Sequence, residues 1–445
     1  MAQLTKTLGP VMIWALGVGY VISGMYFGWN LGLPEGGPYG MLVATAGVTI
    51  LYVSFVLGYA ELACALPRAG GAFVYASRAF GPHVGFVGGI AQLVEYVLAP
   101  PAIAFAIGSY LNQAHPDLPI LGMAALAYVV FTLINIVGVK LSAVFELVLC
   151  VIAVVELIVF GVVVLPHFSW EKFSFDALPN GWGGAFAAIP FAMWFYLAIE
   201  GIANIAEEAK NPQRDIPRGF LLAMGTLVIL TVITLFGAVG VDGWRSVVYD
   251  AAGKESDSPL PLAIGHIVSR ESALFAALTG IGLIGLLASF HGILIVASRS
   301  LLELGRVRYV PAVLGKIHPR TKTPVAALLA NLVVGLFALF TGRTADIILL
   351  SVFGALTLYM LSAASVLQLR RTAPDLPRPY KAPLYPFTPI LALLLAVVCF
   401  AAMVWTHHRL ALAYVGILAI TWVAFVVFVP ASARTSFNSS EEPGA

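Results

Sequence analysis

Apolar residues in this chain gather into twelve runs, each of roughly membrane-spanning length, separated by short clusters of charge, proline and glycine. A helix needs about 20 residues to cross the hydrocarbon layer of a bilayer, so runs of this length predict spans rather than the core helices of a soluble domain. Their approximate limits are 11–33, 39–64, 83–113, 119–139, 142–165, 182–208, 217–241, 272–304, 324–341, 345–369, 384–405 and 410–430. The connections are short and leave no room for a soluble catalytic domain. The longest polar one, about 242–271, predicts short helices over one mouth of the bundle. The reading is therefore all-α and polytopic: a cytoplasmic arm 1–10, one transmembrane domain 11–431, and a Ser-, Glu- and Gly-rich tail 432–445 of disordered composition.

Composition narrows the function. Of 445 residues 60% are hydrophobic and 10% charged, against about 45–50% and about 25% in soluble domains. A soluble enzyme, a nucleic-acid binder and a disordered chain are excluded. The net charge of +2 carries no message, but the placement of the 24 Lys and Arg does. Six of them (Lys172, Arg245, Lys254, Arg270, Arg343 and Arg409) fall in one set of loops, and the other eighteen, Lys140 among them, in the opposite set. An even number of spans puts both termini on one side, and the basic excess makes that side cytoplasmic, as in a bacterial inner membrane. Cys64, Cys150 and Cys399 each sit in an apolar run with no ligand spacing, so neither metal nor disulfide is expected. The arm carries no cleavage site for a signal peptide.

Two spans look interrupted. The first holds Gly17, Gly19, Gly24 and Gly28, with Ser23 and Met25 around Gly24 and the pair Tyr26-Phe27 beyond it; the sixth holds Trp194-Phe195-Tyr196 beside Glu200 and Gly201. Backbone freed inside a membrane must line a cavity or a protein interior, although glycine also marks close helix packing. Breaks in spans one and six are what a five-plus-five inverted repeat produces, here about 11–165 and 182–369 with two extra helices at 384–430, and the solute then sits between the broken elements.

A charge at mid-span costs on the order of 2.5–3.5 kcal/mol, so each one needs a reason. The candidates are Glu61, Glu95, Glu146, Glu156, Glu200, His291 and Glu303. Glu95 has no Lys or Arg in its own span, and a cationic solute is one partner that would complete it; the other is a proton and a neighbouring helix. Glu200 lies at the sixth-span break, where freed backbone donors would satisfy it, and is a coupling or gating candidate with substrate contact as the alternative. Glu156 and His291 are candidates for proton coupling, with an interhelical hydrogen bond as the simpler reading of the histidine. Glu61, Glu207, Glu208 and Glu303 lie near basic loops and are expected to pair there. Tyr26, Phe27, Tyr96, Trp194, Phe195 and Tyr196 fall on the same three segments as Glu95, and aromatic faces around a carboxylate suit an ammonium group, at ~2 kcal/mol per desolvated contact.

With these residues in view, the chain resembles the amino acid–polyamine–organocation permease superfamily over nearly its whole length. Pro67-Arg68-Ala69-Gly70-Gly71-Ala72-Phe73-Val74-Tyr75 is similar to its re-entrant motif, Glu208 to Pro217 to its signature after span six, and Ser298 to Pro324 to the segment joining spans eight and nine. Gly17 to Gly37 and Gln92 to Pro101 resemble the bacterial ethanolamine permeases in particular. The resemblance implies a LeuT-like secondary transporter that works by alternating access, with no enzymatic activity and no cofactor. It places Ser23, Gly24 and Met25 where amino acid carriers have G-S/A-G for the substrate carboxylate; bulk at Met25 speaks against a carboxylate and for ethanolamine. It also implies that Glu95 lines the substrate site. Nothing basic stands in span five where some relatives carry a coupling lysine; Cys150 or a near neighbour occupies that place. The expectation is an importer of ethanolamine, driven by the membrane potential with or without a proton. An amino acid or polyamine permease or exchanger of the same superfamily is the alternative.

Overall fold

The computed structural model describes residues 6–137 and 142–435. Residues 1–5 of the arm, Lys140 and the tail beyond 435 lie outside the described residues. In chain order the helices are α1 Pro10–Val21, α2 Ser23–Tyr26, α3 Leu33–Ala65, α4 Ala72–Phe80, α5 Pro82–Ala114, α6 Ile120–Val137, α7 Ser142–Val164, α8 Trp170–Ser174 and α9 Gly183–Met193. There follow α10 Pro212–Asp242, α11 Arg245–Val248, α12 Pro259–Gly265, α13 Ala273–Arg306, α14 Val325–Leu339, α15 Thr344–Thr372, α16 Phe387–Thr406, α17 His408–Phe428 and α18 Ala431–Thr435. Among the described residues no strand forms. Nine helices among the described residues are long and apolar enough to cross a membrane, and Pro10–Tyr26, Gly183–Met193 and Val325–Leu339 are shorter apolar segments.

Burial sorts these helices. The central helix α5 packs along both α13 and α15, and Glu95, near its middle, is fully buried. The helices α14, α16 and α17 turn large apolar side chains outward, Phe337 at 78% exposure among them. An outward apolar face of this kind is stable only against lipid, so the chain is a multi-pass membrane protein. Local rules set the ends: Pro82 and Pro212 open α5 and α10, where a missing N–H costs nothing. The hydroxyl of Ser272 caps α13 by accepting from the Phe275 N–H at 3.1 Å.

At the arginine-rich end, acids and bases meet as the sequence predicts. Glu61 accepts from Arg370 Nε at 2.8 Å and Nη2 at 2.6 Å, and from the Ala382 N–H at 2.7 Å, with Arg378 Nε at 3.3 Å. Arg299 pairs with Glu208 at 2.8 Å in a nearly dry setting, and Arg306 pairs with Glu303 and Glu207. The chain before α1 is clipped to the end of the sixth span: the N–H groups of Thr7 and Leu8 donate to the Glu208 carbonyl at 2.9 Å, and the Lys210 N–H donates to the Leu8 carbonyl at 2.8 Å.

The opposite end carries α11 and α12, as the 242–271 loop predicts. A cleft of about 390 Å³ there is lined by Leu31, Glu255, Asp257, Arg343, Thr344 and Asp346. Burial pushes the Asp257 carboxyl up to about 6, helped by nearby Glu255 and opposed by the hydrogen bond it accepts from Thr344. A carboxyl whose folded value is raised stabilises the fold while protonated and loses that contribution as pH rises through about 6. Asp257→Asn is therefore expected to be more heat-stable than the parent above about pH 6, with no gain below about pH 4, read as the difference between their thermal midpoints across pH.

Candidate functional site

The first span breaks after α1. The backbone makes a short second helix, Ser23–Tyr26, extends at Phe27 and turns into a 3₁₀ segment at Trp29–Gly32. Much of the backbone here is already spent: the Ile22 N–H donates to Val18, Met25 to Ile22 and Phe27 to Ser23. The Ser289 hydroxyl bridges the Tyr20 carbonyl and the Ser23 hydroxyl, each at 2.8 Å. Asn30 ties this stretch to the far-end loop through the Val247 and Ser256 carbonyls.

The sixth span breaks at Trp194–Ala198, between α9 and a 3₁₀ segment Ile199–Glu208. Ala198 sits at φ +76°, a left-handed conformation that costs an L-residue about 1–2 kcal/mol. Its N–H donates to Glu95 Oε1 at 3.1 Å, so the acid of α5 holds the strained turn. The two breaks touch. A Cβ on Gly24 would strike the Trp194 carbonyl, a backbone atom with no freedom to yield. Gly24→Ala is expected to cut transport about five- to a hundredfold, since overpacking costs ~1–3 kcal/mol. Uptake in vesicles with matched protein and unchanged circular dichroism would check it.

Glu95 and Glu200 come together behind the sixth-span break, both fully buried, with their carboxyls at hydrogen-bonding distance. The Tyr359 hydroxyl donates to Glu200 Oε2 at 3.0 Å and lies 3.0 Å from the Tyr52 hydroxyl. Tyr96 borders Glu200, and the Tyr196 ring lies 5.2 Å from Tyr52 with its hydroxyl on Thr49. Among the described residues no Lys, Arg or His acts on either carboxyl.

Not every aromatic of the expected cage reaches this pair. Tyr26 donates to Glu156 Oε2 at 2.6 Å and to the Ala153 carbonyl, and Tyr110 holds the Tyr26 carbonyl at 2.8 Å. Phe27 meets Trp194 edge-on at 5.4 Å, and Phe195 stacks on Trp29 at 5.7 Å. Met25 is buried, its sulfur accepting from Thr231 and its carbonyl from Trp29 Nε1. Thus Tyr96 reaches the acids and Tyr196 stops one ring short of them, on Tyr52 and Thr49, while Tyr26, Phe27, Trp194 and Phe195 fasten the breaks to their neighbours. Sequence reading missed Tyr52 and Tyr359; their only signal was polar hydroxyls inside otherwise apolar spans.

The remaining acids are separate. Glu156 is engaged by Tyr26. His291 accepts from Asn135 Nδ2 at 3.2 Å, between the rings of Phe131 and Phe145. Glu146 of α7 lies against Gly19, where a Cβ would collide with its carboxyl, and Cys150 follows one turn on. Among the described residues no group of His, Cys, Asp and Glu is arranged to hold a metal.

A family model described as amino acid permease matches residues 8–438. An uncharacterized transporter of Rhizobium meliloti is 28% identical over 90% of this chain and 86% of its own length. The branched-chain amino acid permease BcaP of Bacillus subtilis is 26% identical over 91% of this chain and 89% of its own. A methylthioribose transporter of the same bacterium is 23% identical over 99% and 94%.

Proposed function

We propose, on the premise that the chain belongs to the amino acid permease family, that it is a secondary carrier importing ethanolamine, or a close small primary amine, across the cell membrane by alternating access. The observation that carries this reading is the pair Glu95 and Glu200, buried at the sixth-span break among tyrosines with no basic side chain beside it among the described residues. A small ammonium ion supplies the missing positive charge, and the faces of Tyr52, Tyr96, Tyr196 and Tyr359 suit it.

The first break supports an amine over an amino acid. A carboxylate at a broken helix needs bare N–H groups, and those of Ile22, Met25 and Phe27 are occupied within their own chain. Gly24 has the sixth span on top of it and Ser23 is held by Ser289. Ethanolamine has no carboxylate to lose there. The cleft at the far end, with three acids to one arginine, draws cations to that mouth.

The nine long and three shorter apolar helices make twelve spans in this reading, arranged as a LeuT-like five-plus-five repeat with both termini cytoplasmic. Glu200 then belongs to the coupling machinery with Glu95. Glu156 steadies the first break, and His291 remains a coupling candidate. The inside-negative potential favours entry of a monovalent cation by about 2.3 kcal/mol per 100 mV.

A second reading is an amino acid permease, favoured by the relatives named for branched-chain amino acids. Uptake of labelled ethanolamine into proteoliposomes, with potential and pH gradient imposed separately, decides between them. The amine reading expects uptake competed by small amines and untouched by leucine, alanine, arginine or putrescine. Amino acid uptake with no ethanolamine uptake overturns it.

A further inference from the structure

We propose that Glu95 and Glu200 act as a single acid that holds one proton between its two carboxyls, and that this proton and the transported cation compete for the same place. The inference rests on the amine reading for the identity of the cation, but its first part stands on the geometry alone. Of the four carboxyl oxygens, Glu95 Oε1 is taken by the Ala198 N–H and Glu200 Oε2 by the Tyr359 hydroxyl. The other two, Glu95 Oε2 and Glu200 Oε1, are buried and form no hydrogen bond among the described residues, with the Tyr96 hydroxyl beside Glu200 as the neighbouring donor. One proton set between the carboxyls fills both vacancies at once, donated by one oxygen and accepted by the other.

Electrostatics requires the same count. Two like charges at hydrogen-bonding distance in a dry interior cannot both persist. The titratable groups that face the pair from the surrounding helices are Tyr52 and Tyr59 of α3, Tyr96 of α5, Tyr359 of α15, Tyr414 of α17 and, beyond Tyr52, Cys399 of α16. None of them brings a positive charge. With one proton the pair carries a single negative charge, and a second proton would leave no charge for a cation to meet. An arriving ammonium supplies both the donors and the charge, so it takes the position of the proton, which leaves to the water on the side the site then faces. No bond other than the O–H is broken. The protons of such a pair belong to the two residues jointly, and either substitution must change the titration of the whole.

The test begins without any solute. Infrared difference spectra of the purified protein between acid and alkaline pH read the protonated-carboxyl stretch directly. The expected result is that, among the bands of the titrating carboxyls, one and the same band is shifted or lost in both Glu95→Gln and Glu200→Gln. Two bands that each vanish in only one variant, or no band affected by either, overturns the shared proton. The second arm is ethanolamine uptake. Over roughly pH 6 to 8 the parent's KM is expected to fall up to about tenfold per pH unit, and Glu200→Gln is expected to transport with a KM that no longer follows pH. Equal pH dependence in parent and variant overturns the competition. A parent that carries no ethanolamine overturns the amine reading instead, while the infrared arm still decides on the proton. Both glutamines keep an acceptor oxygen, and matched elution from a sizing column confirms the fold.

Discussion

Glu95→Gln is expected to lower amine uptake at least about a hundredfold in a protein that still folds. The amide oxygen can keep the Ala198 N–H that Glu95 now accepts, so the strained turn of the sixth span survives. What goes is the negative charge. Removing one partner of a buried, hydrogen-bonded ion pair costs about 3–5 kcal/mol, and 1.4 kcal/mol is tenfold. Initial rates in proteoliposomes with matched protein would measure it, and uptake at the parental rate would move the site elsewhere. Glu95→Ala is the informative contrast: it loses the charge and the acceptor together, so its thermal midpoint should fall as well.

The largest effect on stability is expected at Glu61, which shares no contact with either break. Its carboxyl binds Arg370 through two nitrogens, Arg378, and the Ala382 N–H. It therefore joins the end of α3 to the end of α15 and to the chain leading into α16. Arg378 is nearly buried and would be left with its charge uncompensated, although its bonds to the carbonyls of Leu369 and Ala373 remain. Glu61→Gln should cost about 3 kcal/mol. The expected signature is a clear drop in the thermal midpoint in detergent with KM unchanged; an unaltered midpoint would mean that these guanidinium contacts contribute little.

The spans were legible because a bilayer demands continuous apolar length, and no soluble fold imitates that over most of a chain. The basic-end pairs were legible too, since a carboxylate at the edge of a span beside loop arginines has few alternatives. The breaks were only half visible. Glycine around position 24 announces the first. The second turns at Ala198, a residue with no glycine signal, and it turns there because Glu95 from another helix receives its N–H. Such a cause lies 103 positions away and leaves no local trace. The same distance hides the meeting of Glu95 with Glu200 and the recruitment of Tyr52 and Tyr359. Tyr26 shows the converse: proximity in sequence to a break suggested a role at the acids, while the fold spent its hydroxyl on Glu156.

The clip between the arm and the sixth span bears on how tightly the protein holds a gradient. Thr7, Leu8 and Lys210 fasten the arginine-rich halves of the two interrupted spans to each other by main-chain bonds, beside the dry Arg299–Glu208 pair. Neither half can move away alone without breaking those bonds. Loosening that clip is therefore expected to leak ions. Background conductance should stay low even when the carrier turns over rapidly.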